Sequence, residues 1–385
     1  MTPPLRLVQM VDTLWTGGAE RLIVTFAAAV RADPGIALTV FVLSDQETAF
    51  RSDLERMGVE VATFPGSSLV DPRRFLRVAR ELRDRRTEVL HAHLTSSITV
   101  GGSAAALIGL PFVCTIHNVR PSAQHVSRPR GLLYRRVLRR AATRRIAVGV
   151  SVAEANRADA GGLRFEVVPN AVDAAAVWNG PKCPEARGEF GFGPDDQVLI
   201  AVGGLYPQKA LWDLLDAFAA VAARAPRARL LVVGGGEQLA ALTDQAARLG
   251  VADRVRFAGV RRDVPRLLAA ADLFVSSSHW EGAPIALLEA MANGLPSVVT
   301  DVGDNARILA GTAAELVPPR TPERLAEAML GMLGDAGRRA ACGAASRRRA
   351  HEAFGTVAWV ERLSAIYAEA VGRDDWLSAG RAGAA

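Results

Sequence analysis

The chain has 385 residues, half of them hydrophobic, with 46 Lys plus Arg against 40 Asp plus Glu and a formal net charge of +6. That length and apolar content supply two sizeable cores, which excludes a disordered or fibrous chain and points to two or three domains. Three scattered cysteines, Cys114, Cys183 and Cys342, make no CxxC pair, a pattern that excludes a disulfide framework or zinc site and fits a reducing compartment.

The apolar run before Asp12 is too short for a signal peptide and lacks a small-residue cleavage pattern, so a cytoplasmic location is expected. Short β-rich runs then alternate with helical patterns: LRLVQMV (5–11), ALTVFVLS (37–44), VEVATFP (59–65), EVLHAH (88–93), FVCTIH (112–117), RIAVGVS (145–151) and FEVVPN (165–170). Such alternation predicts a doubly wound parallel sheet. Gly17-Gly18-Ala19-Glu20 follows the first run, where glycines let the backbone approach a ligand and a helix end favours an anion. A bare glycine pair equally fits a tight turn. The uncharged stretch from Leu94 to Ile116 is long enough to raise a membrane span. Gly101-Gly102 and Gly109-Leu110-Pro111 break it, which predicts a buried helix followed by a buried strand. His91, His93 and His117, half of the six histidines, sit at the ends of β runs. No acidic helper or ligand spacing marks them as a metal trio, and core histidines are the plain alternative.

The basic excess lies in this half: residues 1–180 hold 23 Arg against 16 acidic residues, whereas 181–385 hold 23 Lys plus Arg against 24. It concentrates in RPRGLLYRRVLRRAATRR (128–145), eight Arg without an acid, with Leu132, Leu133, Val137, Leu138 and Ala141 near helical spacing. Two readings stand: a basic amphipathic helix for an anionic membrane surface, or the solvated face of a chain that uses 44 Arg and 2 Lys. Nucleic acid is disfavoured, since no recognition motif or aromatic stacking platform accompanies the run.

A pause rich in Gly, Pro and charge, NGPKCPEARGEFGFGPDD (179–196), precedes a second series: VLIAVGG (198–204), RLLVVGGG (229–236), RVRFAGV (254–260), DLFVSSS (272–278), PSVVT (296–300) and AAELVPP (313–319). The domain reading is 1–178, a linker at 179–196, a second domain at 197–356, and a closing helix and tail at 357–385. One lysine lies in the linker. The other, Lys209, ends VGGLYPQK (202–209), just past the first strand of the second domain; a solvent-exposed lysine at a helix start is its bland reading. Glu289 is the sole charged residue between Gly282 and Thr300, and a carboxylate in an apolar run needs a compensating partner. Ligand hydroxyls or an internal group would serve, and Ser278-x-x-Glu281 also reads as a capping box. Pro284 suits a first helical position, with the amides behind it facing an anion.

The order E-G-A-P-x-x-x-x-E at 281–289 resembles the two-glutamate signature of the retaining, nucleotide-sugar-dependent glycosyltransferases of the glycosyltransferase 4 (group 1) family. The resemblance covers most of the chain and is strongest from Val198 to Pro319. It implies an α/β GT-B fold, two Rossmann-like doubly wound parallel-sheet domains facing a cleft, the last helix crossing back to the first domain. Donor sugar-nucleotide contacts are implied at Gly17, Gly18, Gly204, Lys209, Val260, Glu281, Gly282, Ala283, Pro284, Ile285 and Glu289. Within that set the resemblance puts Lys209 on the diphosphate, Glu289 on ribose hydroxyls, the Val260 backbone on the base, and Glu281 with His117 on the transferred sugar. The catalytic residues it implies are His117, Glu281 and Lys209; His93 and Asn170 fall on the acceptor side, with Ser151 near the interdomain cleft.

One position departs from the family, which usually has Arg or Lys where this chain has Gly204; Arg261 and Arg262 are the candidate substitutes. No cofactor or metal is implied, the donor being a UDP-, GDP- or ADP-sugar. The expected function is retaining transfer of a sugar to a hydroxyl of a glycan or lipid-linked acceptor, in cell-surface polysaccharide or glycolipid biosynthesis. The protein would be peripheral at the inner face of the membrane if 128–145 binds it. Two alternatives remain: a non-catalytic sugar-nucleotide-binding partner subunit, motivated by Gly204, and a sugar-nucleotide epimerase. A dinucleotide oxidoreductase is disfavoured because no GxGxxG follows the first strand, and a glycosidase because both glutamates come from one βα unit.

Overall fold

Each of the thirteen β runs contains a strand in the computed structural model, which describes residues 3–15, 17–66, 68, 70–119, 127–173, 177 and 183–373. Lys182, the first residues of the expected linker and the C-terminal tail lie outside that set. The chain divides into two units, Met1–Asn170 with Thr356–Ala385, and Ala171–Gly355.

The first unit holds β1 (Leu5–Val11), β2 (Ile36–Val42), β3 (Glu60–Thr63), β4 (Val89–His93), β5 (Phe112–Ile116), β6 (Arg144–Ala147) and β7 (Glu166–Val167). All pair in parallel, in the order β3-β2-β1-β4-β5-β6-β7. Every residue of β4 and β5 is buried, because a parallel sheet is covered on both faces and its central strands must be apolar throughout. The uncharged 94–116 stretch becomes the helix Thr95–Ile108 and then β5, separated at Gly109, whose φ of 66° is left-handed. Side chains at Gly101 and Gly102 would press on Met10 and on Phe112, so these glycines set how closely the helix lies on the sheet. Among the described residues no helix is long and apolar enough to cross a membrane. The helix Thr356–Val371 belongs to this unit, its Leu363, Ile366 and Tyr367 packing with Leu5, Leu7 and Phe26.

The basic segment differs from a single amphipathic helix. An α-helix, Arg128–Arg136, passes into a π-turn, Val137–Ala141, and Arg144 and Arg145 already belong to β6 or its start. Val137 and Leu138 are buried while Leu132 is 63% exposed. Arg135 reaches Asp159 (3.5 Å), and Arg139 bonds the carbonyls of Asp159 and Ala158 (3.0 and 3.1 Å).

The second unit holds β8 (Gln197–Val202), β9 (Ala228–Val233), β10 (Val255–Phe257), β11 (Leu273–Ser276), β12 (Ser297–Thr300) and β13 (Glu315–Val317), parallel in the order β10-β9-β8-β11-β12-β13. Residues 183–196, which read as linker from their charge and glycine, are built into this unit. Arg187 is buried there, donating to the carbonyls of Ala270 (2.8 Å) and Asp196 (2.9 Å) and to Asp272 Oδ2 (2.8 Å). A buried guanidinium requires such partners.

Candidate functional site

In doubly wound sheets ligands bind beyond the carboxyl ends of the strands where the strand order reverses. In the second unit that point lies between β8 and β11. β8 leaves the sheet through Gly203-Gly204, and a short 3₁₀ turn, Pro207–Lys209, ends at Ala210 in a left-handed conformation, φ 45°. A non-glycine residue held there costs about 1–3 kcal/mol. Ser277 Oγ compensates by donating to the carbonyls of Lys209 and Ala210 at 2.9 and 3.0 Å. The turn brings Lys209 Nζ to 2.6 Å from Glu281 Oε1.

Glu281, not Glu289, is the buried carboxylate. It is 4% exposed, and besides Lys209 it accepts from Ser278 Oγ (2.7 Å) and Gln208 Nε2 (3.1 Å). The Ser278–Glu281 contact therefore exists, but no helix begins at Ser278 and it is not a capping box. Glu289 lies on the partly exposed side of the helix Ile285–Ala292, whose buried residues are Leu287, Leu288, Ala290, Met291 and Ala292. Composition places Glu289 in an apolar run; helical phase leaves it on the partly exposed side.

Pro284 also sits one residue earlier than expected, as the N-cap with extended φ/ψ of −70° and 122°. The helix starts at Ile285, and among the described residues no side chain accepts from the amides of Ile285 or Ala286, while the Leu287 amide bonds the Pro284 carbonyl at 3.2 Å. Gly282 and Ala283 form the buried bend before it. Gly303, at φ 59°, permits the next loop to lie against this bend: a Cβ there would come within 2.7 Å of the Gly282 carbonyl, which accepts from Asp304 N at 3.0 Å. His279 ties the two loops from the other side, its amide donating to Gln208 O (2.9 Å) and its Nε2 lying 2.7 Å from Asp213 Oδ2. Gln208, Asp213, His279 and Gly303 escaped sequence reading. Only the position of Gln208, His279 and Gly303 in loops after strands signals them, and Asp213 lies in the first turn of the helix Leu211–Arg224.

Gly204 has a structural reason of its own. A Cβ there would come within 2.6 Å of the Tyr206 ring, and one at Gly235 within 2.9 Å of Val260. Tyr206 and Val260 thus cover a glycine floor at the ends of β8 and β9 while remaining 52% and 55% exposed. Arg261 is no substitute cation. Its guanidinium is bidentate on Asp263 (2.8 and 2.8 Å) and reaches Glu189 (3.1 Å), and these hydrogen bonds hold the Asp263 carboxyl well below its usual range. Arg262 is exposed beside it.

The remaining predicted residues, Gly17, Gly18, His93, His117 and Asn170, belong to the first unit. Gly17 is extended before the helix Gly18–Val30, and a side chain on it would run into the carboxylate of Glu20, which accepts from Thr13 Oγ1 at 3.2 Å. Asp12, directly after β1, accepts from the Ser97 amide (2.7 Å), the Ser97 hydroxyl (2.7 Å) and the Ser96 amide (3.3 Å). It fills the N-terminus of the helix Thr95–Ile108. Burial raises the pKa of both Asp12 and Glu20.

His91 is inside β4, bonded on one nitrogen to Tyr367 Oη and on the other to Thr115 Oγ1, 2.7 Å each. His93 ends β4, and its Nδ1 lies 3.0 Å from His117 Nε2, just past β5. Burial lowers all three histidines, His91 to about 3 and His117 to about 4. Asn170 is buried. Among the described residues no group of three or more His, Cys, Asp or Glu is placed to hold a metal ion.

The architecture is that of known glycosyltransferases. The crystal structure of Anabaena HepE in complex with UDP-glucose matches with a TM-score of 0.85 at 24% identity, covering 95% of this chain and 100% of that one. WaaG, a glycosyltransferase involved in lipopolysaccharide biosynthesis, matches with 0.75 at 19% identity, covering 94% and 99%. The fold is therefore GT-B. The family description Glycosyltransferase Family 4 matches residues 16–176, and Glycosyl transferases group 1 matches residues 196–335. The D-inositol 3-phosphate glycosyltransferase of Thermobispora bispora is 31% identical over 366 residues, 90% of this chain and 83% of that protein. The UDP-Gal:alpha-D-GlcNAc-diphosphoundecaprenol alpha-1,3-galactosyltransferase of Escherichia coli is 27% identical over 62% of this chain, which spans 64% of that protein's length. This chain belongs to the glycosyltransferase 4 (group 1) family.

Proposed function

We propose that the protein moves a sugar, with retention at the anomeric carbon, from a nucleotide diphosphate sugar to a hydroxyl of a glycan or lipid-linked acceptor, in the biosynthesis of cell-surface polysaccharide or glycolipid. The observation that carries this reading is the Lys209–Glu281 pair at the β8/β11 reversal, beside a helix whose first amides no described side chain takes. Lys209 and those amides stabilise negative charge building on the leaving diphosphate, the electrostatic term that is often largest in catalysis. They supply the positive charge for which a metal ion would otherwise be needed, so no metal role is assigned. Glu289, on the accessible side of its helix, takes the ribose hydroxyls; Glu281 and His117 take the sugar; the Val260 backbone meets the base. Gly17 and Gly18 serve the donor phosphates, and His93 and Asn170 the acceptor side. HepE is seen with UDP-glucose and the Escherichia coli relative is named for UDP-Gal, which favours a UDP-sugar over a GDP- or ADP-sugar.

Arg128, Leu132, Arg136 and Arg140 are exposed at roughly one-turn spacing, and this stripe supports peripheral attachment to the anionic inner face of the membrane of a cytoplasmic enzyme. Replacing Arg128, Arg136 and Arg140 with Gln is expected to release the protein from anionic vesicles in a flotation assay; unchanged flotation removes the membrane reading.

The central test is a thermal-shift screen of wild type and Glu289→Ala against UDP, GDP, ADP and their common sugars. A ligand at ~100 times its dissociation constant stabilises by ~2.7 kcal/mol. A shift with UDP or a UDP-sugar that disappears in Glu289→Ala supports the donor site, and no shift with any nucleotide overturns it.

A further inference from the structure

His91, His93 and His117 lie in a row, ring centroids 4.2 Å apart between the first two and 5.3 Å between the last two. His91 is satisfied on both nitrogens, by Tyr367 and Thr115. His93 is not: its Nδ1 meets His117 Nε2, while its own Nε2 is buried without a partner among the described residues. With both rings neutral, as burial demands, the 3.0 Å contact needs one proton and one lone pair. There are two ways to supply them. If His117 donated from Nε2, the proton of His93 would sit on Nε2, stranding a buried N–H. If His93 donates from Nδ1, its orphaned Nε2 is only a lone pair. Stranded buried donors are the rarer and costlier defect.

We infer that His93 carries its proton on Nδ1, donates it to His117 Nε2, and so holds His117 as the Nδ1–H tautomer, which makes His93 a positioning residue and His117 a hydrogen-bond donor toward its ligand. The half-buried His117 then presents an N–H, and it cannot take a proton from an acceptor hydroxyl through that atom. The identity of the ligand rests on the proposed function: His117 donates to an oxygen of the transferred sugar.

The experiment is a long-range proton–nitrogen spectrum of the full-length, ¹⁵N-histidine-labelled protein at neutral pH, with His93→Leu and His93→Asn beside wild type. The expected wild-type pattern is a protonated Nδ1 and a bare Nε2 on both His93 and His117. His93→Asn retains an amide N–H near the position of Nδ1 and is expected to keep the His117 pattern, whereas His93→Leu lets His117 exchange between tautomers. A protonated Nε2 on His117 in wild type overturns the inference, as does an unchanged His117 pattern in His93→Leu. Both readouts come from the free protein, so their failure is separate from failure of the glycosyltransferase reading. With turnover in hand, His93→Leu should raise KM for the donor about tenfold, the scale of one neutral hydrogen bond, with recovery in His93→Asn; equal KM in all three proteins also counts against it.

Discussion

The two sheets share one strand order, two strands to one side of the first strand and the rest to the other, yet their reversal points are furnished differently. In the first unit the residue after β1 is Asp12, whose carboxylate takes the amides of Ser96 and Ser97 at the start of the helix Thr95–Ile108. In the second unit the residue after β8 is Gly203, and no described side chain takes the first amides of the helix Ile285–Ala292. Topology offers an anion-binding helix end twice. In the first unit the protein's own carboxylate occupies that end, and in the second Gly203 supplies none.

The largest effect that probes this contrast comes from Lys209. Lys209→Met should lower donor turnover about 10²–10³-fold, the scale of removing one preorganised donor from a charge-stabilising site. It should also lower stability, at the lower end of the ~1.5–3 kcal/mol range for hydrogen bonds to charged groups, because the Lys209 side chain is 23% exposed and solvent screens the pair. Steady-state kinetics and thermal unfolding check both. Gly203→Asp carries the device of the first unit into the second. A Cβ at Gly203 meets the flexible stem of Lys209 at 3.0 Å, and the φ of 157° is one a side chain adopts only with strain, so Gly203→Asp should lower the unliganded midpoint; measured against that midpoint, the ~2.7 kcal/mol nucleotide-induced stabilisation should disappear from the thermal-shift assay. A full nucleotide shift in Gly203→Asp would break the comparison.

Acid sensitivity should also separate the units. His91 and His117 are held neutral by burial at about 3 and about 4 against an ordinary 6.5. The unfolded chain therefore binds more protons between those values, so this part of the stability is complete above 6.5 and is lost as the pH falls toward 4. Each histidine contributes a slope of up to ~1.4 kcal/mol per pH unit. Hydrogen exchange between pH 7 and pH 5 should show protection falling first in β4 and β5; a loss beginning in β8 or β11 would contradict the assignment. The smallest effect concerns Gly204. Gly204→Arg alone collides with Tyr206, whereas Gly204→Arg with Tyr206→Ala gives the arginine room and is expected to tighten donor binding a few-fold, measured by titration calorimetry.

The sequence determines the backbone plan because strands, helices and their ends respond to local cues. β4 and β5 follow from continuous apolar runs, the break between helix and β5 from Gly109 and Pro111, and the site loops from the charged and glycine residues that end β8 and β11. Tertiary structure decides which charges meet. Lys209 and Glu281 lie 72 residues apart, and Asp12 and Ser97 lie 85 apart, separations across which no local pattern acts. For the same reason Arg261, which resembles a free cation in sequence, is consumed by Asp263 and Glu189, and residues 183–196, which resemble a linker, hold the buried Arg187. Composition shows that a carboxylate stands in an apolar run. Whether it is buried depends on what packs against it: Lys209, Gln208 and Ser278 enclose Glu281 in its loop, while the phase of the helix leaves Glu289 partly exposed.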